Sequence, residues 1–276
     1  MGMIMNGREL ADELQLEMIE EVKKMPVKPG LVVMIVGENP ASQTYVKNKE
    51  RAAEKIGINS KIERLPESIT EKELLELIKK YNEDRVYHGI LVQLPLPAHI
   101  DEEKVLLAID AKKDVDGFHP LNIGKMMSGD AELIPCTPYG IMMLLKKYNV
   151  SLVGKHAVVV GRSNIVGKPM AHLLLQEDAT VTITHSKTKD LKAITQQADV
   201  LVVAIGRGHF INSSHVKEGA VVIDVGMNRS PEGKLIGDVD FDDMLEKVSL
   251  ITPVPKGVGP MTITMLMRQT IDNAKK

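Results

Sequence analysis

Apolar residues along this chain fall into two spacings, and the two alternate. Short continuous runs at Leu31–Val36, Gly89–Gln93, His156–Val160, Val200–Ile205 and Ala220–Val225 predict buried strands, and Lys61–Leu65 and Thr180–Thr184 add two more. Between them lie helical patterns. Leu10, Leu14, Met18 and Val22 predict a helix within Asn6–Met25, stopped by Pro26 and Pro29-Gly30. Ser42 is read as the N-cap of a helix reaching Gly57, and Thr70 with Glu73 has capping-box spacing ahead of Leu74, Leu75 and Ile78. Further helices are predicted over Asp101–Ile109, from N-cap Thr137 through Tyr148, and over Lys168–Gln176, Lys189–Gln197 and Met261–Ala274. Asp114–Pro120 reads as a loop, and Leu250–Pro260 is too rich in Pro and Gly for regular structure. Strands alternating with helices predict an α/β fold with mainly parallel pairing, because each crossover packs a helix back on its sheet. The length, 276 residues, allows two modest domains, with the change placed near Thr137.

Composition narrows the function classes. A formal net charge of −2 offers nothing that attracts nucleic acid or an anionic membrane, and three Phe with no Trp argue against base stacking. One cysteine, Cys136, excludes an intrachain disulfide and fits a reducing cytoplasm. The segment Met1–Asn6 has no basic region or long apolar core, so no signal peptide is expected, and no apolar run nears the ~20 residues of a membrane span. The scattered histidines and acids show no metal-ligand spacing.

Four places carry candidate chemistry. After the strand at Ala157–Val160, the turn Gly161-Arg162-Ser163-Asn164-Ile165-Val166-Gly167 leads into a helix, presenting backbone N–H groups where a phosphate can sit. As a dinucleotide fingerprint it is degenerate, with Ser163 and Val166 at the second and third glycine positions. The following strand ends in Thr184-His185-Ser186-Lys187, without the acid that usually binds a ribose 2′-hydroxyl; this favours NADP over NAD, with Arg162 and Ser186 as partners of the 2′-phosphate or as plain solvated surface. Tyr45, Lys49, Ala52 and Ile56 share one helix face, so Lys49 sits among inward-looking residues. There it is either a snorkelling lysine or an acid–base group with a lowered pKa. Gln93 ends a predicted parallel strand, where ligands of open α/β sheets bind, and Asp116 lies in an Asp-Gly turn.

In this order these residues resemble the bifunctional methylenetetrahydrofolate dehydrogenase/methenyltetrahydrofolate cyclohydrolase family. The resemblance is carried by Pro40–Lys49, Val92–Pro97, Lys113–Gly117, Pro135–Pro138, Gly161–Pro169, Asp224–Gly226, Gly237–Phe241 and Pro253–Thr262, and it covers essentially the full length. It implies a folate-binding catalytic domain over 1–136, a Rossmann-like NADP-binding domain over 137–259, a closing helix (260–276) packed back on the first domain, and an active-site cleft between the two. It implies Lys49 as catalytic lysine, Tyr45 stacking on the folate, Gln93 tuning the lysine, Asp116 gripping the pterin, and Pro260 on the substrate side. Gly161, Arg162, Ser163, Ser186 and the Met227 backbone would hold NADP, and the enzyme would be a cytoplasmic homodimer. Family members often carry Gly at 256, Ile at 227 and Pro at 208, where this chain has Lys, Met and Gly. A shikimate dehydrogenase-like enzyme and a non-catalytic NADP-binding protein are the competing readings, disfavoured by Tyr45–Lys49 spacing and by the intact set Lys49, Gln93 and Asp116.

Overall fold

The computed structural model describes residues 2–276; Met1, which begins the segment read above for a signal peptide, lies outside the described residues. The first half runs β1 (Met3–Ile4), α1 (Gly7–Val22), β2 (Gly30–Val36), α2 (Pro40–Ile56), β3 (Asn59–Leu65), α3 (Glu71–Glu83), β4 (Gly89–Val92), α4 (Glu102–Ala108) and α5 (Pro120–Ser128). Then follow α6 (Cys136–Lys147), β5 (His156–Val160), α7 (Gly167–Gln176), β6 (Thr180–Thr184), α8 (Leu191–Thr195), β7 (Val200–Val203) and β8 (Val221–Asp224). The chain closes with β9 (Asn228–Arg229), β10 (Leu235–Ile236), α9 (Phe241–Met244), β11 (Leu250–Ile251) and α10 (Val258–Asn273). The residues form two compact units. One joins Glu13–Cys136 to Ile263–Lys276; the other joins the segment ending at Asp12 to Thr137–Thr262.

In the first unit β2 is the central strand of a parallel sheet ordered β3-β2-β4. Every residue of β2 and β4 is buried, which is why both read as unbroken apolar runs rather than as alternating strands. Leu74, Ile78 and Tyr81 of α3 pack onto Val32, Met34, Ile90 and Val92. The capping box ahead of α3 forms as expected: Thr70 Oγ accepts the Glu73 N–H at 3.2 Å, and the Glu73 carboxylate accepts the Thr70 N–H at 2.9 Å. Ser42 is not the cap of α2. Asn39 is, its side chain accepting N–H groups from Ala41 and Ser42, because Pro40 at the first helical position already needs no partner for its nitrogen. Gly57 ends α2 in the left-handed conformation.

The second unit is a six-stranded parallel sheet ordered β1-β11-β8-β7-β5-β6. The chain starts this series at β5, moves to β6 on one side, and returns to β7 on the other. Strand order therefore reverses between β5 and β7, the place where doubly wound sheets bind ligands. Three expectations change here. Leu250–Ile251 is a strand, since Met3–Ile4 and Val221–Val222 pair with it on both sides. That pairing also assigns the first residues to this unit rather than to a domain spanning 1–136. Finally, α6 begins at Cys136 instead of after Thr137, α8 is shorter than the reading over Lys189–Gln197, and α10 begins at Val258, ahead of Met261.

Candidate active site

Lys49 lies on the inward face of α2, one turn after Tyr45, and is only 7% exposed. Its ammonium donates to Gln93 Oε1 at 3.0 Å. Gln93 follows β4 directly; its own amide group donates to the Leu94 carbonyl at 2.7 Å, which orients the side chain so that its oxygen faces the lysine. Burial pushes the Lys49 pKa down, while the negative charge of Asp116 opposes that fall. Burial pushes the Asp116 carboxyl up to about 6, with Lys49 pulling it down and Asp114 pushing it further up. Burial likewise raises the Tyr45 hydroxyl. An amine whose charged form is disfavoured by burial, held by an acceptor and set in the field of a half-buried carboxylate, is chemically fit to take and return a proton.

The Asp116 loop is fixed from below. Gly117 has φ +78, and a Cβ there would collide with the Ile134 carbonyl and the Pro135 nitrogen, so only glycine lets the two segments touch. The Cys136 N–H donates to the Asp116 carbonyl at 3.2 Å, and its thiol donates to the Val115 carbonyl at 3.1 Å. Burial holds that thiol well above its usual pKa, so it stays protonated beside Lys49 and Asp116. From α10, Gln269 donates to the carbonyls of Val115 (2.8 Å) and Ile134 (3.0 Å), and it accepts the Ile134 N–H at 2.7 Å.

The other expected site residues lie in the second unit. Gly161 follows β5 with φ +123, and a Cβ there would strike the Ala204 carbonyl; one at Gly167 would strike the Gly161 carbonyl. The turn therefore packs on the end of β7 and on itself too closely to admit a side chain at either glycine. Ser163 Oγ accepts N–H groups from Val166 and Gly167, each at 3.2 Å, which closes the turn onto α7. The Gly161 N–H donates to the Thr184 carbonyl at 2.9 Å. Since Val160 pairs with Thr184, Arg162 and Ser186 leave the same end of neighbouring strands, both exposed. Residues 185–188 form a turn tied by the Thr188 hydroxyl and the His185 ring, with no acid to repel a 2′-phosphate. Exposed Met227 and half-buried Pro260 also belong here: a Cβ on Gly259 would lie 3.8 Å from Met227 Sδ. The structure thus gathers Tyr45, Lys49, Gln93 and Asp116 in one unit, and Gly161, Arg162, Ser163, Ser186, Met227 and Pro260 in the other.

Residues 5–116 match the family model of the tetrahydrofolate dehydrogenase/cyclohydrolase catalytic domain, and residues 135–276 match that of its NAD(P)-binding domain. The chain belongs to the tetrahydrofolate dehydrogenase/cyclohydrolase family. Bifunctional protein FolD of Enterococcus faecalis is 67% identical over 279 residues, covering 100% of this chain and 99% of the relative. The bifunctional methylenetetrahydrofolate dehydrogenase/cyclohydrolase structure from Campylobacter jejuni has a TM-score of 0.97 at 50% identity, covering 100% of this chain and 99% of that one. The Trypanosoma brucei enzyme, solved with NADP cofactor and an inhibitor, has a TM-score of 0.95 at 38% identity, over 99% and 97% of the two chains. As a tetrahydrofolate dehydrogenase/cyclohydrolase, this chain combines the two expected domains, a catalytic one with a parallel sheet and a Rossmann-like NAD(P)-binding one.

Two residues that shape the Asp116 loop are not among the candidates of the sequence: Cys136, and Gln269 within the closing helix. The Pro135-Cys136-Thr137-Pro138 segment was visible; its approach to Asp116 was not. Lys256 has φ +83, a conformation that suits glycine, which gives a backbone reason for the glycine often found there.

Proposed function

We propose that this tetrahydrofolate dehydrogenase/cyclohydrolase oxidises 5,10-methylenetetrahydrofolate with NADP⁺ and hydrolyses the resulting 5,10-methenyltetrahydrofolate to 10-formyltetrahydrofolate. The observation that carries the reading is the buried Lys49 ammonium on Gln93, with Asp116 in its field. NADP⁺ supplies the hydride acceptor for the methylene carbon. The NADP found in the Trypanosoma brucei relative supports the choice of cofactor. Gly161, Arg162, Ser163 and Ser186 hold the cofactor, Arg162 and Ser186 meeting the 2′-phosphate, and Met227 lies beside it with its backbone. Tyr45 stacks on the folate, Asp116 accepts from the pterin ring, and Pro260 borders the substrate.

In hydrolysis, neutral Lys49 takes a proton from the water whose oxygen adds to the cationic methenyl carbon. The ammonium then returns a proton to N5 as the C–N5 bond breaks, the adduct's hydroxyl proton leaves to solvent, and the formyl group stays on N10. The net change is one water consumed and one proton released. Gln93 steadies the ammonium between the two transfers. The expectation of a cytoplasmic homodimer completes the reading; no helix among the described residues is long and apolar enough to cross a membrane. Light scattering checks the dimer.

The test supplies purified protein with methylenetetrahydrofolate and NADP⁺, then methenyltetrahydrofolate alone. NADPH formation and methenyl hydrolysis are both expected; absence of NADPH sinks the reading. Lys49→Met abolishes hydrolysis while NADP still binds, and unchanged hydrolysis removes Lys49 from the mechanism.

A further inference from the structure

Two carboxylates in the cofactor unit have no part in the reading above, although both stand in segments by which the chain resembles its family, Asp224 in Asp224–Gly226 and Asp238 in Gly237–Phe241. Asp238 is 0% exposed and Asp224 is 3% exposed. Asp238 Oδ2 accepts the N–H groups of Ile205 (2.7 Å) and Gly206 (3.0 Å), and Oδ1 accepts those of Arg207 (2.7 Å) and the Asn228 side chain (2.9 Å). Asp224 in turn holds Asp238: it accepts the Asp238 N–H at 2.9 Å, with Gly226 at 2.9 Å and Val239 at 3.0 Å. The approach is close enough to exclude side chains. A Cβ on Gly226 would collide with the Asp238 backbone and carboxyl, and one on Gly237 with the Asp224 carboxyl.

Three successive backbone N–H groups converging on one point form an anion nest. In this protein the nest at 205–207 is filled by the chain's own carboxylate. Its place in the fold gives that filling a meaning. The nest follows β7, and Gly161, where the phosphate turn begins, follows β5; strand order reverses between these two strands, and Gly161 packs directly on Ala204. An empty nest here would be a second phosphate site beside the first. Because a trans peptide points its carbonyl opposite its N–H, turning these amides inward also aims the carbonyls of Ala204, Ile205 and Gly206 away from Asp238.

We propose that Asp238, braced by Asp224, is a positioning residue for the dinucleotide. It occupies the nest after β7, so that the cofactor phosphates bind only at the Gly161–Gly167 turn, and it fixes the 205–207 loop next to that turn. This rests on the NADP-dependent reading above.

The experiment compares cofactor use with cofactor-free hydrolysis. Asp238→Asn keeps the shape but turns one acceptor into a donor facing N–H groups. NADP⁺ KM and the NADPH Kd, followed by fluorescence titration, are expected to rise about tenfold or more, since hydrogen bonds to a charged acceptor are lost. Hydrolysis of methenyltetrahydrofolate supplied without cofactor is expected to stay within about twofold, as Tyr45, Lys49, Gln93 and Asp116 lie in the other unit. Asn228→Ala removes one donor and leaves the backbone bonds, so it moves the same two constants about two- to threefold. Unchanged cofactor constants in both variants overturn the proposal. So does an equal loss of both activities in both variants, which marks a purely structural role. Failure of the unaltered protein to reduce NADP⁺ would instead defeat the functional reading.

Discussion

Replacing Gln93 by leucine removes the acceptor of the Lys49 ammonium together with the donor to the Leu94 carbonyl, while the backbone N–H of residue 93 keeps its bond to the Met34 carbonyl. The magnitude follows from the bond. A hydrogen bond to a charged group contributes about 1.5–3 kcal/mol, and one pKa unit corresponds to about 1.4 kcal/mol. The neutral amine retains a weaker form of the same bond, so the lower end applies and the Lys49 pKa falls. Burial has already moved it in that direction. With neutral Lys49 as the base, the acid limb of methenyl hydrolysis shifts to lower pH, with a lower plateau because the ammonium formed in the reaction is less stable. The assay is a pH–rate profile of hydrolysis for both proteins, with the thermal unfolding midpoint as a check on folding. A limb displaced by less than about 0.3 unit, or displaced upward, refutes the coupling between Gln93 and Lys49.

Two further outcomes follow from other parts of the molecule. Arg162→Ala weakens NADP binding by about 1.5–3 kcal/mol and leaves NAD binding little changed; equal losses for both cofactors in parallel titrations count against a 2′-phosphate contact. Arg268 donates to Glu21 at 2.6 and 3.0 Å and, with Lys275, holds the Glu21 carboxyl down at about 2. A depressed carboxyl stabilises the fold above its unfolded pKa and loses that contribution as pH falls through the folded value. Arg268→Met is therefore expected to cost about 1–2 kcal/mol in denaturant melts at neutral pH, with the deficit shrinking between about pH 4.5 and pH 2. A deficit that stays constant with pH refutes the assignment.

How much of this was legible beforehand depends on where each partner lies along the chain. The valine-rich strands β5, β7 and β8 were readable because burial on both faces leaves an apolar run. Lys49 was readable as an inward residue because helix periodicity is local. By contrast, β1 and β11 span two residues each, and their strand character exists only through pairing across the whole chain. The helix α5 carries signals, with Pro120 at its first position and Gly129 in the left-handed conformation at its end, but Pro120 also closes the Gly- and Pro-containing stretch Asp114–Pro120, whose local pattern is that of a loop. Asn39 outcompeted Ser42 as cap because Pro40 fixed the first turn. Asp238 was visible as part of a motif, yet its donors sit at 205–207 and 228, a convergence that no spacing rule expresses.

The helix α10 contributes residues to both compact units: Val258–Thr262 belong with the cofactor unit, and from Ile263 the helix supplies Gln269 under the Asp116 loop and Arg268 to Glu21. A gene fragment ending at Cys136 would encode Lys49, Gln93 and Asp116 but leave Ile134, Val115 and Glu21 facing groups that no longer exist. The family's two activities are consequently not separable as cassettes joined at one seam. Exchanging the cofactor unit for another requires junctions after Asp12, Cys136 and Thr262 together, so shuffling by a single crossover between genes would break the unit that carries Lys49 while leaving Lys49 itself intact.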